Sequence, residues 1–291
     1  MAVTPIPVPP QSLKPFNLKP VSSPNNLDEI WYLKALDLSA SNYIDVSVDA
    51  FISDIGINQT KEVSSVGTIR ELPTAPIEMR MKSTNVADTF PIQITYLDSN
   101  KEYQVAIFIL TGTTPVELPE MYRILFVSNA SGDSTTTLLE ANGFTEGVDF
   151  NNGATQGTIT VYRSDGDGTL ANARTMAGWN QYFTVGASQI NVEQSLLSSF
   201  TIPRGYRGFP FQFEPILGKN DEVFFAIQTR APGGPWVTQI PFSAFQNEFQ
   251  RNIFPRGIPE LYDVRVLAHE NGGVANVPAA FSYQLLLVQY G

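Results

Sequence analysis

Apolar residues recur at every second position along most of this chain, and that period decides what it folds into. Ile44, Val46, Val48 and Ala50 alternate with Asp45, Ser47 and Asp49, and Ile77, Met79 and Met81 alternate with Glu78, Arg80 and Lys82. The pattern returns at Phe90, Ile92, Ile94 and Tyr96, at Val105, Ile107 and Ile109, at Ile159 and Val161, and at Phe209, Phe211 and Phe213. Side chains of an extended strand point alternately to its two faces, so each run predicts a strand with one face buried. Val223 to Ile227, Tyr262 to Leu267 and Phe281 to Val288 carry apolar residues on both faces, as inner strands of a sandwich or an interface do. No stretch holds a 3.6-residue period over three turns, and the best helical candidates are short, at Ser243 to Gln250 and Ser134 to Asn142.

Between these runs lie turn signals: Asn129-Ala-Ser-Gly132, Asn151-Asn-Gly153, Asp165-Gly-Asp-Gly168, Pro232-Gly-Gly-Pro235 and Asn271-Gly-Gly273. The reading is all-β: an antiparallel, jelly-roll-like β-sandwich body or bodies with an extended N-terminal arm. Pro115, Glu117 and Pro119 mark a division into an N-terminal β domain at 28–118 and a C-terminal β-sandwich domain at 119–291. No internal repeat supports a propeller or solenoid.

Residues 1–27 hold seven of the 21 prolines, no Gly and no acidic residue. Proline fixes φ and biases its predecessor towards extended geometry, so the segment favours polyproline II and spans about 80 Å if straight, at roughly 3.1 Å per residue. Apolar pegs punctuate it, and Pro5, Pro7, Val8, Pro9, Pro10, Leu13, Phe16 and Leu18 are the candidate assembly arm. A solvated linker carries Gly, Ser and charge instead, so the pegs point to docking on a surface.

Charge and composition narrow the chemistry. There are 18 Lys and Arg against 28 Asp and Glu, a net charge of −10, which argues against nucleic acid as a partner. No cysteine and one histidine leave no disulfide, thiolate nucleophile, zinc-thiolate site or multi-histidine metal centre, so no metal or cofactor is expected. Apolar stretches such as Val105 to Leu110 are about six residues, where a membrane helix needs roughly twenty, so no membrane insertion is expected. The N-terminus lacks the basic and apolar regions of a secretory signal, and synthesis in a cytoplasm is the expectation.

Asp165-Gly166-Asp167-Gly168-Thr169 resembles the start of a calcium loop, but the later bidentate Glu and the flanking helices are missing; a polar hairpin turn explains it better. Asp45 and Asp49 share a strand face, as a carboxylate pair for glycosidic cleavage would, and as outward solvated carboxylates do. His269 beside Glu270 has the composition of a general base with its partner, yet no Gly-x-Ser-x-Gly elbow accompanies it. No phosphate-binding loop or dinucleotide fingerprint occurs. Aromatics are the remaining class: 19 Phe, 11 Tyr and 3 Trp. Trp179, Tyr182 and Trp236, with Trp31, are candidates for a subunit interface or a glycan platform, and the Gly233-Gly234-Pro235 turn makes Trp236 the leading one.

Four stretches of residues 187–291 carry a resemblance: Gln194-Ser-Leu-Leu-Ser-Ser-Phe-Thr-Ile-Pro-Arg-Gly-Tyr-Arg-Gly-Phe209, Arg230-Ala-Pro-Gly-Gly-Pro-Trp236, Gly257-Ile-Pro-Glu-Leu-Tyr-Asp-Val-Arg-Val-Leu-Ala268 and Ala280-Phe-Ser-Tyr-Gln-Leu-Leu-Leu-Val288. Their order resembles a family of virion structural proteins from tailed bacteriophages, with Arg204 and Arg207 standing where that pattern has small residues or Thr. The resemblance implies a β-sandwich protein of the capsid, neck or tail and brings no catalytic residues.

Both lines point to structure and not turnover, and the resemblance makes the expectation a non-enzymatic structural component of a bacteriophage virion. It is synthesised in the host cytoplasm and assembles as a symmetric homo-oligomer, the arm docking on neighbouring subunits or other virion proteins. The alternative is an adhesin or receptor-binding module of a tail or capsid fibre, attaching to a host surface glycan. A depolymerising tailspike is the third reading.

Overall fold

The structure, a computed structural model, describes residues 43–66, 68–130, 155–180, 182–185, 188–191, 194–217, 222–245, 257–270, 273 and 277–289. The assembly-arm residues, Trp31 and the helical candidate at Ser134 to Asn142 lie outside them. Every regular element among the described residues is a strand. In chain order these are β1 (Tyr43–Ile55), β2 (Thr60–Glu62), β3 (Ile77–Ser83), β4 (Pro91–Asp98), β5 (Tyr103–Ile109), β6 (Val116–Asn129), β7 (Thr158–Arg163) and β8 (Thr175–Asn180). There follow β9 (Tyr182–Val185), β10 (Ser188–Asn191), β11 (Phe200–Thr201), β12 (Tyr206–Leu217), β13 (Glu222–Arg230), β14 (Val237–Phe245), β15 (Asp263–Glu270) and β16 (Val277–Gln289).

The runs with apolar residues on both faces became inner strands. β16 lies between β1 and β12 in a three-stranded sheet, with Ala50 opposite Phe281 on one side and Phe213 opposite Tyr283 on the other. β15 and β13 are central in a second sheet ordered β11-β15-β13-β14, and β2 joins alongside β15. All pairings are antiparallel. The inner faces of the two sheets close on one core, in which Phe281 lies 5.3 Å from Phe225, 6.2 Å from Phe213 and 6.3 Å from Tyr283, centroid to centroid. Burial of this apolar surface, about 25 cal/mol per Å², is what holds the sandwich together.

β3 to β8 form a separate six-stranded sheet ordered β5-β4-β6-β3-β7-β8, which curls around a second core containing Met79, Met81, Ile92, Ile94 and Trp179. β6 serves both cores. Its Met121, Ile124 and Val127 face the second, while Tyr122 and Leu125 face the sandwich.

Two expectations need correction. The division at 118/119 falls inside β6, and β1 and β2 pair with the C-terminal β16 and β15, so the described part of the 28–118 segment, from residue 43 on, is shared between the two cores. Pro119 does not end the strand because it occupies a bulge: Leu118 pairs with Met79 and Glu120 with Glu78, leaving the proline with no ladder bond to donate. The helical candidate Ser243 to Gln250 begins in the last residues of β14, where Ser243 pairs with Phe224 and Ala244 with Val223; its remainder lies outside the described residues.

Candidate interaction face

Strand alternation builds this face. On β13, Val223, Phe225 and Ile227 enter the core, which turns Phe224, Ala226, Gln228 and Arg230 outward. The register sets Phe224 opposite His269, Ala226 opposite Leu267 and Gln228 opposite Arg265 on β15. Thr60, Phe224, Ala226, Leu267 and His269 line a shallow recess of about 260 Å³ at one end. At the other end the β13–β14 turn, with Gly233 at φ 70°, brings Trp236 back against two guanidiniums. That of Arg265 lies 3.9 Å and that of Arg230 4.6 Å from the indole centroid.

Beneath the indole is a buried network of charge. Arg123 of β6 grips Asp263 through Nε and Nη2 at 2.9 and 3.0 Å, Arg230 reaches the same carboxylate, and the Thr201 hydroxyl donates to it at 2.5 Å. Burial pushes the Asp263 carboxyl up, but the hydrogen bonds and charge of Arg123, with Thr201 and Arg230, outweigh it and hold the group below its ordinary value. Beside this set, Arg70 donates to Glu62, to the hydroxyl of Ser199 and to the carbonyl of Met176 on β8. The network ties the sandwich to the six-stranded sheet, because Arg123 and Met176 belong to one and Asp263 and Glu62 to the other. Burial pulls Arg265 down to about 10; its Nε donates to Gln228 at 3.0 Å.

The other candidates fall in different places. Trp179 is not on a surface: it is fully buried in the second core, with Nε1 donating to Thr155 at 3.2 Å, and offers no face to a sugar or a subunit. Its sequence neighbours did not reveal this, because β8 carries no clean alternation. Tyr182 sits in β9, and its side chain lies outside the described positions. Trp236, unlike Trp179, is partly exposed, on the outer side of the second sheet. His269 shares a hydrogen bond with Thr60 at 2.9 Å, whereas Glu270 points to the other side of β15 and accepts from the Asn58 amide; adjacent residues of a strand cannot pair across it.

Asp165 is paired with Arg163 and Arg174, and Asp167 accepts the amide and hydroxyl of Thr169, so this turn spends its carboxylates on itself. Asp49 accepts from Ser282 on the outer face of the three-stranded sheet. Sequence reasoning missed the arginine network. Its signal was present in Asp263-Val-Arg-Val-Leu-Ala-His-Glu270, where charged residues interrupt a strand too apolar to be an exposed edge.

No protein-family model matches this chain, and no curated protein does. Among solved structures it is similar to the infectious bursal disease virus VP2 subviral particle, at 8% identity over 85% of this chain and 72% of that one, with a TM-score of 0.20. The structure of the Gx strain of that virus gives 8% identity, 86% and 73% coverage and the same TM-score of 0.20. Similarity this slight carries no argument about function.

Proposed function

We propose that this chain is a non-enzymatic structural subunit of a virus particle of the tailed-phage kind. On this reading it assembles as a symmetric homo-oligomer in which residues 1–27 dock on neighbouring subunits or on other virion proteins. One observation carries the reading: large apolar side chains stand exposed on the body among the described residues. Val237 is 51% exposed, Ile216 45% and Phe224 37%. Exposed apolar side chains invite association, and a particle protein covers them with its neighbours. The Pro-rich arm with its apolar pegs supplies a strap for the same purpose.

The experiment is absolute mass by light scattering after size exclusion, for the full chain and for a chain lacking residues 1–27. A defined oligomer that falls to monomer on truncation supports the reading. A full chain that stays monomeric at all concentrations overturns self-assembly. The second reading, a module that attaches to a host surface glycan, is favoured by Trp236, whose indole stands partly exposed beside Gln228 and Arg265. A glycan array probed with the full chain tests it.

A further inference from the structure

The charge count beneath Trp236 does not close. Among the described residues four guanidiniums, of Arg70, Arg123, Arg230 and Arg265, share two carboxylates, of Glu62 and Asp263, and every ion pair the cluster makes there uses one of those two. Arg265 is the one left over. It is only 8% exposed, and no carboxylate among the described residues lies within ion-pair distance of it. Its described polar partner is the neutral side chain of Gln228, bonded at Nε. Glu62 and Asp263 attract it from beyond ion-pair distance while Arg230 and Arg70 repel it, and Arg70 Nε is itself buried with no hydrogen-bond partner among the described residues. On the six-stranded sheet, by contrast, Arg80 sits on Glu117 and Arg163 on Asp165.

A buried, unpaired guanidinium is costly, and the cost is relieved by an anion that reaches it. The planar fork of an arginine matches the two oxygens of a carboxylate, and a ring beside it adds a flat apolar wall. We propose that Arg265 and Trp236 form a carboxylate-binding recess on the outer face of the second sheet, with Arg230 reinforcing its positive potential. The chemistry required of the ligand is one carboxylate on a slender body that enters beside the indole. Two sources supply it: an acidic side chain from another copy of this acid-rich chain, or a free sugar acid. The recess itself does not depend on the assembly reading.

The test uses the full chain and two probes, glucuronate and N-acetylneuraminate, with neutral glucose as control, titrated by calorimetry and followed by tryptophan fluorescence. Binding of an acid but not of glucose, weakened at least tenfold by Arg265→Met and severalfold by Trp236→Ala, supports a free sugar acid. Trp236 lies outside both cores, so its variant remains informative where Arg265→Met fails to fold. No binding of either acid, together with a fall in oligomer mass in both variants, supports the acidic side chain of a second copy. Equal response to acid and glucose overturns the proposal, as does absence of both acid binding and any change in mass. A monomeric full chain that binds an acid leaves the recess standing while self-assembly falls.

Discussion

Arg123 and Asp263 face each other through two near-parallel hydrogen bonds of 2.9 and 3.0 Å, although they belong to different sheets and lie far apart in the chain. Both side chains are almost wholly buried, so the pair is a rivet between the six-stranded sheet and the sandwich. Its forked geometry explains why Arg, and not Lys, stands at position 123.

Asp263→Asn removes the charge that Arg123 and Arg230 share and leaves two guanidiniums without their anion. The expected loss of stability is about 3–5 kcal/mol at neutral pH, read from urea unfolding. The folded carboxyl is held below its ordinary value, so its contribution is whole above the unfolded value of about 3.9 and fades as pH falls through the folded one. The gap between wild type and variant should therefore narrow in acid; a gap unchanged at low pH contradicts this account.

Phe281→Ala takes away the ring that touches Phe213, Phe225, Phe242 and Tyr283 at once. The sandwich cannot collapse around so central a hole, and a cost of about 3–5 kcal/mol is expected in chemical denaturation.

Gly112 sits at φ 66°, and a Cβ there would lie 2.5 Å from the carbonyl oxygen of Val86. Gly112→Ala combines a left-handed backbone with a clash against backbone, and a loss of more than about 1 kcal/mol is expected. A melting temperature equal to that of wild type would argue against the turn as described.

Burial, aided by the charge of Asp98, pushes the Tyr96 phenol up to about 12. An unfolded tyrosine ionises near ~10, so the stability this residue contributes is intact below that and is lost as pH rises towards the folded value. Tyr96→Phe should leave phenolate absorbance unchanged below about pH 11 and should flatten the alkaline fall in stability.

The strands that alternate cleanly were legible: β1, β3, β4, β5 and β7 are where the period places them, and β13, β15 and β16 were recognisable as inner strands. β6 was not, because a proline inside a strand reads as a break unless a bulge absorbs it, and bulges leave no mark in hydrophobic period. The topology was hidden for a related reason. Pairing of β1 with β16 is a contact between the two ends of the body, which no local window registers. At the site, Trp236 was picked out through its turn, whereas Trp179 looked equivalent in sequence and proved to be core. The arginines of the network escaped notice because their partners lie on strands that only the fold brings together.

The placement of β16 at the centre of the first sheet has a consequence for the order in which this protein matures. Tyr43 waits for Val288, and β12 waits for the same strand, so neither finds its partner until β16 has left the ribosome. The six-stranded sheet faces no such delay, since all its strands are synthesised between β3 and β8. Synthesis thus separates an early folding unit from a late one, and the long wait of β1 makes non-local closure the slow event. Emergence of β16, rather than of any earlier segment, becomes the step that commits the sandwich.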